Sequence, residues 1–124
     1  MRIGIVGTGF MGTTHAKGWV ETPARITGFC AETVALADQY HAKAFASLAA
    51  MLPEVDVVDI CTPTYLHLEQ VRLAAAAGKD IICEKPLTLD VETGAEMLRV
   101  CEDAGVRLFV AHVVRYFPEY AAAK

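Results

Sequence analysis

Gly7-Thr8-Gly9-Phe10-Met11-Gly12 fits the pattern G-x-G-x-x-G, in which each glycine has a mechanical task. Gly7 permits a tight turn out of a strand, Gly9 lets backbone approach a pyrophosphate, and Gly12 lets the next helix pack close to that strand. Phosphates would meet free N–H groups at the positive end of a helix dipole, with Thr8, Phe10 and Met11 completing the turn around them. Alone, the hexapeptide is an ordinary glycine-rich turn. Its place behind the apolar run Arg2–Val6 and ahead of a helical pattern predicts a dinucleotide site.

In such a site a carboxylate about 20 residues further on accepts hydrogen bonds from the adenosine ribose. Glu32, after Cys30-Ala31, is the candidate. It reads equally well as an exposed residue at a helix start, with Ala31 in the ribose-facing place. No Arg or Lys stands between Ala31 and Ala42 to take a 2′-phosphate, so the choice between NAD and NADP leans to NAD.

Two more loops carry chemistry: Cys61-Thr62-Pro63-Thr64-Tyr65-Leu66-His67 and Cys83-Glu84-Lys85-Pro86. Both follow strand-like runs, and ligands of open α/β sheets bind outside the carboxyl ends of strands. Thr62 and Pro63 form either an uncharged shelf beside a cofactor or a turn that starts a helix. His67 falls in the first turn of that helix, as a surface or packing residue or as a neighbour of the same loop. Lys85, held between a carboxylate and a proline, is fixed in direction by its neighbours. It is either a group that hydrogen-bonds or deprotonates a substrate hydroxyl or a solvated lysine balancing Glu84.

The elements that must position these loops alternate from end to end. Strands are predicted at Arg2–Val6, Arg25–Cys30, Lys43–Phe45, 55–61, Asp80–Cys83 and 107–111, with helices at 10–21, 33–41 and 65–77. Ser47 caps a short helix ending before Pro53, and a longer helix starts behind Asp90 and stops at Gly105. After Ala111 the pattern reads as a loop. Repeated β-α order means a doubly wound parallel sheet of the α/β class.

Composition agrees and narrows the function. The 124 residues suit one domain, and a hydrophobic content of 54% suits a sheet covered on both faces. A net charge of −4 with both signs interspersed provides no cationic stripe for nucleic acid. No apolar run approaches the roughly 20 residues of a membrane span, and Gly4 interrupts the start of the chain, so no signal peptide is expected. Cys30, Cys61, Cys83 and Cys101 lack the spacing of a zinc or redox motif. They read as reduced thilos of a cytoplasmic protein without a metal.

The glycine turn, Asp59-Ile60-Cys61-Thr62-Pro63 with His67, the run from Gly78 through Glu84-Lys85-Pro86, and His112 through Arg115 to Pro118 occur in this order. Together they resemble the glucose-fructose oxidoreductase, inositol dehydrogenase and MocA (Gfo/Idh/MocA) family across essentially the whole chain. The resemblance implies a Rossmann-type NAD(P)-binding domain over 1–115. It also implies that 116–124 begin the connection to a second α/β substrate domain that this chain lacks. Lys85 then matches the lysine that contacts the reacting hydroxyl or carbonyl. Thr62, Pro63, His67 and Glu84 match residues lining the cofactor, and Arg115 lies toward the active-site side. Ala31 departs from the ribose-reading pattern. The implied reaction is hydride exchange between a nicotinamide and a secondary alcohol or ketone of a sugar, cyclitol or similar polyol, with homo-oligomers left open. A non-catalytic dinucleotide-responsive module acting through a partner chain is the alternative. A methyltransferase would share the glycine turn but has no use for the Glu84-Lys85-Pro86 loop.

Overall fold

A computed structural model describes residues 1–30 and 34–123. Six short strands, β1 (Arg2–Val6), β2 (Arg25–Cys30), β3 (Lys43–Phe45), β4 (Val57–Ile60), β5 (Asp80–Cys83) and β6 (Leu108–Val110), form one sheet in the order β3-β2-β1-β4-β5-β6. Every neighbouring pair is parallel. The chain therefore winds outward from β1 to β3, returns, and winds the other way from β4. This reversal is the switch point beside which open α/β sheets bind their ligands.

Helices α1 (Phe10–Val20), α2 (Ala35–Gln39), α3 (Leu48–Met51), α4 (His67–Ala76), α5 (Val91–Ala104) and α6 (Pro118–Ala122) lie between and after the strands among the described residues. Side-chain alternation along the strands splits the core in two. Ile3, Ile5, Ile26, Phe29 and Val57 pack with Ala16 of α1 and Ala37 of α2. Val6, Val58, Ile60, Ile81 and Cys83 pack with residues of α3, α4 and α5, among them Met51, Val71 and Met97. All four residues of β4 are buried, as expected of a strand covered on both faces.

The punctuation works as the sequence suggests. Ser47 accepts from the Ala50 N–H, Asp90 from the Thr93 N–H, and Gly105 ends α5 in the left-handed conformation. Several elements are shorter than predicted, β6 and α1 by a residue or two at their ends, and two of them for a visible reason. β4 starts at Val57 because a 3₁₀ turn at Leu52–Glu54 runs up to it, with the Val55 N–H returning to Leu52. The helix predicted at 65–77 opens with a separate 3₁₀ turn, Thr64–Leu66, behind Pro63. The segment after Ala111 is not the predicted loop. It forms a 3₁₀ turn at Val113–Tyr116 and then α6, whose first residue, Pro118, suits a helix start.

Candidate dinucleotide and catalytic site

The glycine turn joins β1 to α1 with almost no slack. Gly7 has φ of +86°, and a Cβ there would meet the Cys61 carbonyl oxygen at 2.8 Å. A Cβ on Gly12 would lie 2.0 Å from the Gly7 carbonyl oxygen, whereas a Cβ on Gly9 would meet nothing within 4 Å among the described residues beyond its neighbours in the chain. Gly9 is the N-cap of α1; it offers no side-chain cap, and the first turn contains no acidic residue. Among the described residues, the leading N–H groups of this 11-residue helix thus lie beside open space, and its own first turn brings no carboxylate to repel an anion. A dinucleotide's pyrophosphate fits this cradle.

Main-chain hydrogen bonds lock three loops into a row along the carboxyl edge. The Gly7 N–H donates to the Cys30 carbonyl (3.2 Å), the Cys61 N–H to Val6 (2.8 Å) and the Glu84 N–H to Ile60 (2.9 Å). Because β1, β4 and β5 are neighbours in the sheet, the glycine turn, the Thr62-Pro63 loop and the Glu84-Lys85-Pro86 loop follow adjacent strands.

Beneath this row lies a charged cluster that crosses all three elements. Asp59 of β4 has no exposed surface. Both its carboxylate oxygens lie 3.0 Å from Nδ1 of His15 on α1, and one accepts the Trp19 indole N–H at 2.7 Å. The other ring nitrogen of His15, Nε2, lies 2.9 Å from Oε1 of Glu84, and Oε2 of Glu84 accepts the Lys85 main-chain N–H at 2.9 Å. A protonated His15 donates once to each carboxylate. Its hydrogen bond to Asp59 raises its pKa above the ordinary 6.5, against the opposing cost of burial, with the Asp59 charge and then Glu84 adding to the rise. Cys61 sits beside the cluster, its Sγ 3.5 Å from Nδ1 of His15. Burial first, and the Asp59 charge second, push its thiol far up. His15, Asp59 and Cys61 have the atom types of a metal site and lie within 4.8 Å of one another. The His15–Asp59 spacing is nevertheless that of a hydrogen bond, too short for an ion between nitrogen and carboxylate without their moving apart.

The predicted residues fall into place unevenly. Thr62 is half-buried beside Gly7 and donates from Oγ1 to Gln70 at 2.6 Å, while Pro63 is exposed. Thr8 and Met11 are half-buried in the turn, and Phe10 is exposed. His67 is a packing residue, 1% exposed, with Nδ1 3.1 Å from the Leu87 carbonyl and Nε2 2.9 Å from that of Thr62. It ties the β4 loop to the chain beyond Pro86. Glu84 is 4% exposed, its oxygens taken up by His15 and the Lys85 N–H. Lys85 is exposed at the same edge, its bond to Pro86 cis. Arg115 is exposed in the turn after β6. Glu32 lies outside the described residues.

His15 and Asp59 are the members sequence reasoning missed. The available signal was Asp59 itself, a lone carboxylate in the apolar run Val57-Val58-Asp59-Ile60. A buried carboxylate needs a cationic or N–H partner.

Comparison with known proteins identifies the family and the fold. A family model described as an oxidoreductase family with an NAD-binding Rossmann fold, Gfo/Idh/MocA, matches residues 1–112. The UDP-N-acetylglucosamine 3-dehydrogenase of Acidithiobacillus ferrooxidans is 34% identical over 95% of this chain and 39% of its own length. The inositol 2-dehydrogenase of Rhizobium meliloti is 34% identical over 100% and 39%. Among solved structures, the WlbA dehydrogenase of Bordetella pertussis in complex with NADH and UDP-GlcNAcA superposes with a TM-score of 0.88 at 32% identity. That match covers 93% of this chain and 36% of the other. Biliverdin reductase of Synechocystis, in complex with biliverdin and NADP+, gives 0.84 at 30% identity, covering 92% and 38%. The chain thus spans under two-fifths of the length of these relatives.

Proposed function

The chain belongs to the Gfo/Idh/MocA family of oxidoreductases, with an NAD-binding Rossmann fold, and from that premise we propose that it is the dinucleotide-binding part of a polyol dehydrogenase. Residues 1–115 hold the nicotinamide cofactor, and 116–124 begin the connection to a substrate-binding region. The reaction is hydride exchange with a secondary alcohol or ketone of a sugar or cyclitol, in a reducing cytoplasm that suits four free thiols. The observation that carries the reading is the row of loops at the switch point. It sets an anion cradle at Gly7–Gly12 two strands away from an exposed lysine, Lys85, on the same edge.

Each group has a task in that reaction. The N–H groups behind Gly9 bind the pyrophosphate, and Thr62 and Pro63 line the crevice between β1 and β4. His67 and Glu84 hold the two flanking loops in shape. Lys85 contacts the substrate oxygen and takes its proton as the alcohol becomes a carbonyl. The nicotinamide supplies the hydride acceptor. With no Arg or Lys between Ala31 and Ala42, NAD is preferred to NADP.

Calorimetry of the chain with NAD, NADH and NADP tests the reading. Saturable binding, tighter for NAD or NADH than for NADP, is expected. Absence of affinity for all three would refute it.

A further inference from the structure

We propose that His15 is a positioning residue for Lys85 and acts through Glu84; its functional meaning rests on the reading of Lys85 given above. Among the described residues no ion pair holds the Lys85 ammonium, so its direction depends on its main chain. The Lys85 N–H donates to Glu84 Oε2 at 2.9 Å. That carboxylate is buried, and its other oxygen meets His15 Nε2 at 2.9 Å. His15 is braced in turn by Asp59, and Asp59 by the Trp19 indole. The result is a continuous strut from α1, across β4, to the loop after β5. Its origin matters, because α1 also carries the glycine turn. The strut fixes Lys85 relative to the helix that cradles the cofactor.

The imidazole can make both contacts as a double donor only when protonated. Among the described residues, the titratable groups facing it are Asp59 and Cys61 from β4 and its end, and Glu84 from the end of β5. The hydrogen bond to Asp59 raises the pKa of His15, which favours this double-donor state.

Substitutions at residue 15 separate positioning from mere charge balance. In His15→Gln the side-chain amide can occupy the place of Nε2 and keep the Glu84 contact. In His15→Asn it can replace Nδ1, facing Asp59 only. Amide hydrogen exchange followed by NMR should show the Lys85 N–H about tenfold less protected in the Asn variant, the scale of one lost charged hydrogen bond, and nearly unchanged in the Gln variant. Equal protection in all three proteins, or equal loss in both variants, overturns the proposal. A second measurement needs no variant and covers failure of either to fold. The Lys85 amide proton shift of the unaltered chain should titrate with the midpoint of the His15 ring protons, and a flat response overturns the proposal. Parallel calorimetry with NADH keeps the two failures apart. Coupling without dinucleotide affinity supports the strut and refutes the reading of the site. Affinity without coupling does the reverse.

Discussion

The carbonyl oxygen of Gly7 occupies the space where a side chain at Gly12 would begin, 2.0 Å from an ideal Cβ. A side chain begun at Gly9 would meet nothing within 4 Å among the described residues beyond its neighbours in the chain. One motif therefore contains two kinds of glycine. Gly12 is required by the packing of α1 on the turn, and Gly9 leaves room for something outside the protein.

Substitution should separate these roles. Gly12→Ala forces backbone apart and should lower unfolding stability by about 3 kcal/mol, the upper range for overpacking. The Cβ of Gly9→Val has free space among the described residues, so stability should fall by less than about 1 kcal/mol while the proposed pyrophosphate approach is blocked. Urea denaturation reads the first effect and calorimetry with NADH the second. An Ala at residue 12 without cost would contradict the close approach.

The sequence carried much of this fold because its signals were local. The bounds of β1, β2, β3 and β5 follow from apolar runs between turns, and Ser47, Asp90 and Gly105 punctuate helices as their side chains or lack of one dictate. The loops of the site were legible for the same reason, since each directly follows a strand. The His15 cluster was not, because His15 meets Asp59 and Glu84 from 44 and 69 residues away. Such contacts depend on strand order, and periodicity in one segment contains no record of it. The role of His67 also depended on context: helix position placed it near the Thr62 loop, but only the path of the chain past Pro86 brings the Leu87 carbonyl to its other nitrogen.

Lys85 offers a complementary test. Its side chain is exposed and takes part in no ion pair among the described residues, so Lys85→Ala should leave folding stability within about 0.5 kcal/mol. NADH affinity should stay within about threefold, under about 0.7 kcal/mol, because the proposed phosphate cradle lies two strands away. A loss of binding equal to that of Gly9→Val, measured in the same calorimeter, would contradict the division between cofactor cradle and reacting group.

The four thiols should be inert in the folded chain. Burial raises all four, with Cys83 pushed up to about 12 and Cys61 further still. The thiolate is the reactive form, so iodoacetamide at pH 7.5 should label none of them within minutes, and all four after unfolding in guanidinium. Rapid labelling of Cys61 in the folded state would mean that the His15–Asp59 cluster is open to solvent.

Stability should also report on the charged cluster through its pH dependence. His15 binds its proton more tightly when folded than when unfolded, because Asp59 and then Glu84 favour the imidazolium. Its stabilising contribution is therefore complete below about pH 6.5, its unfolded value, and is lost as pH rises through the higher folded value. Chemical denaturation from pH 6 to 8, below the range in which the unfolded thiols ionise, should show stability falling as pH rises. His15→Gln should flatten the fall, since an amide has no proton to lose. Removing the anion instead, as in Asp59→Ala, leaves His15 and the Trp19 N–H without their partner and should cost about 3 kcal/mol, the lower range for a broken buried pair. The same change should lower the midpoint of His15, read from its ring protons by NMR. A His15 midpoint unmoved by Asp59→Ala would show that the 3.0 Å contact does not hold the charge.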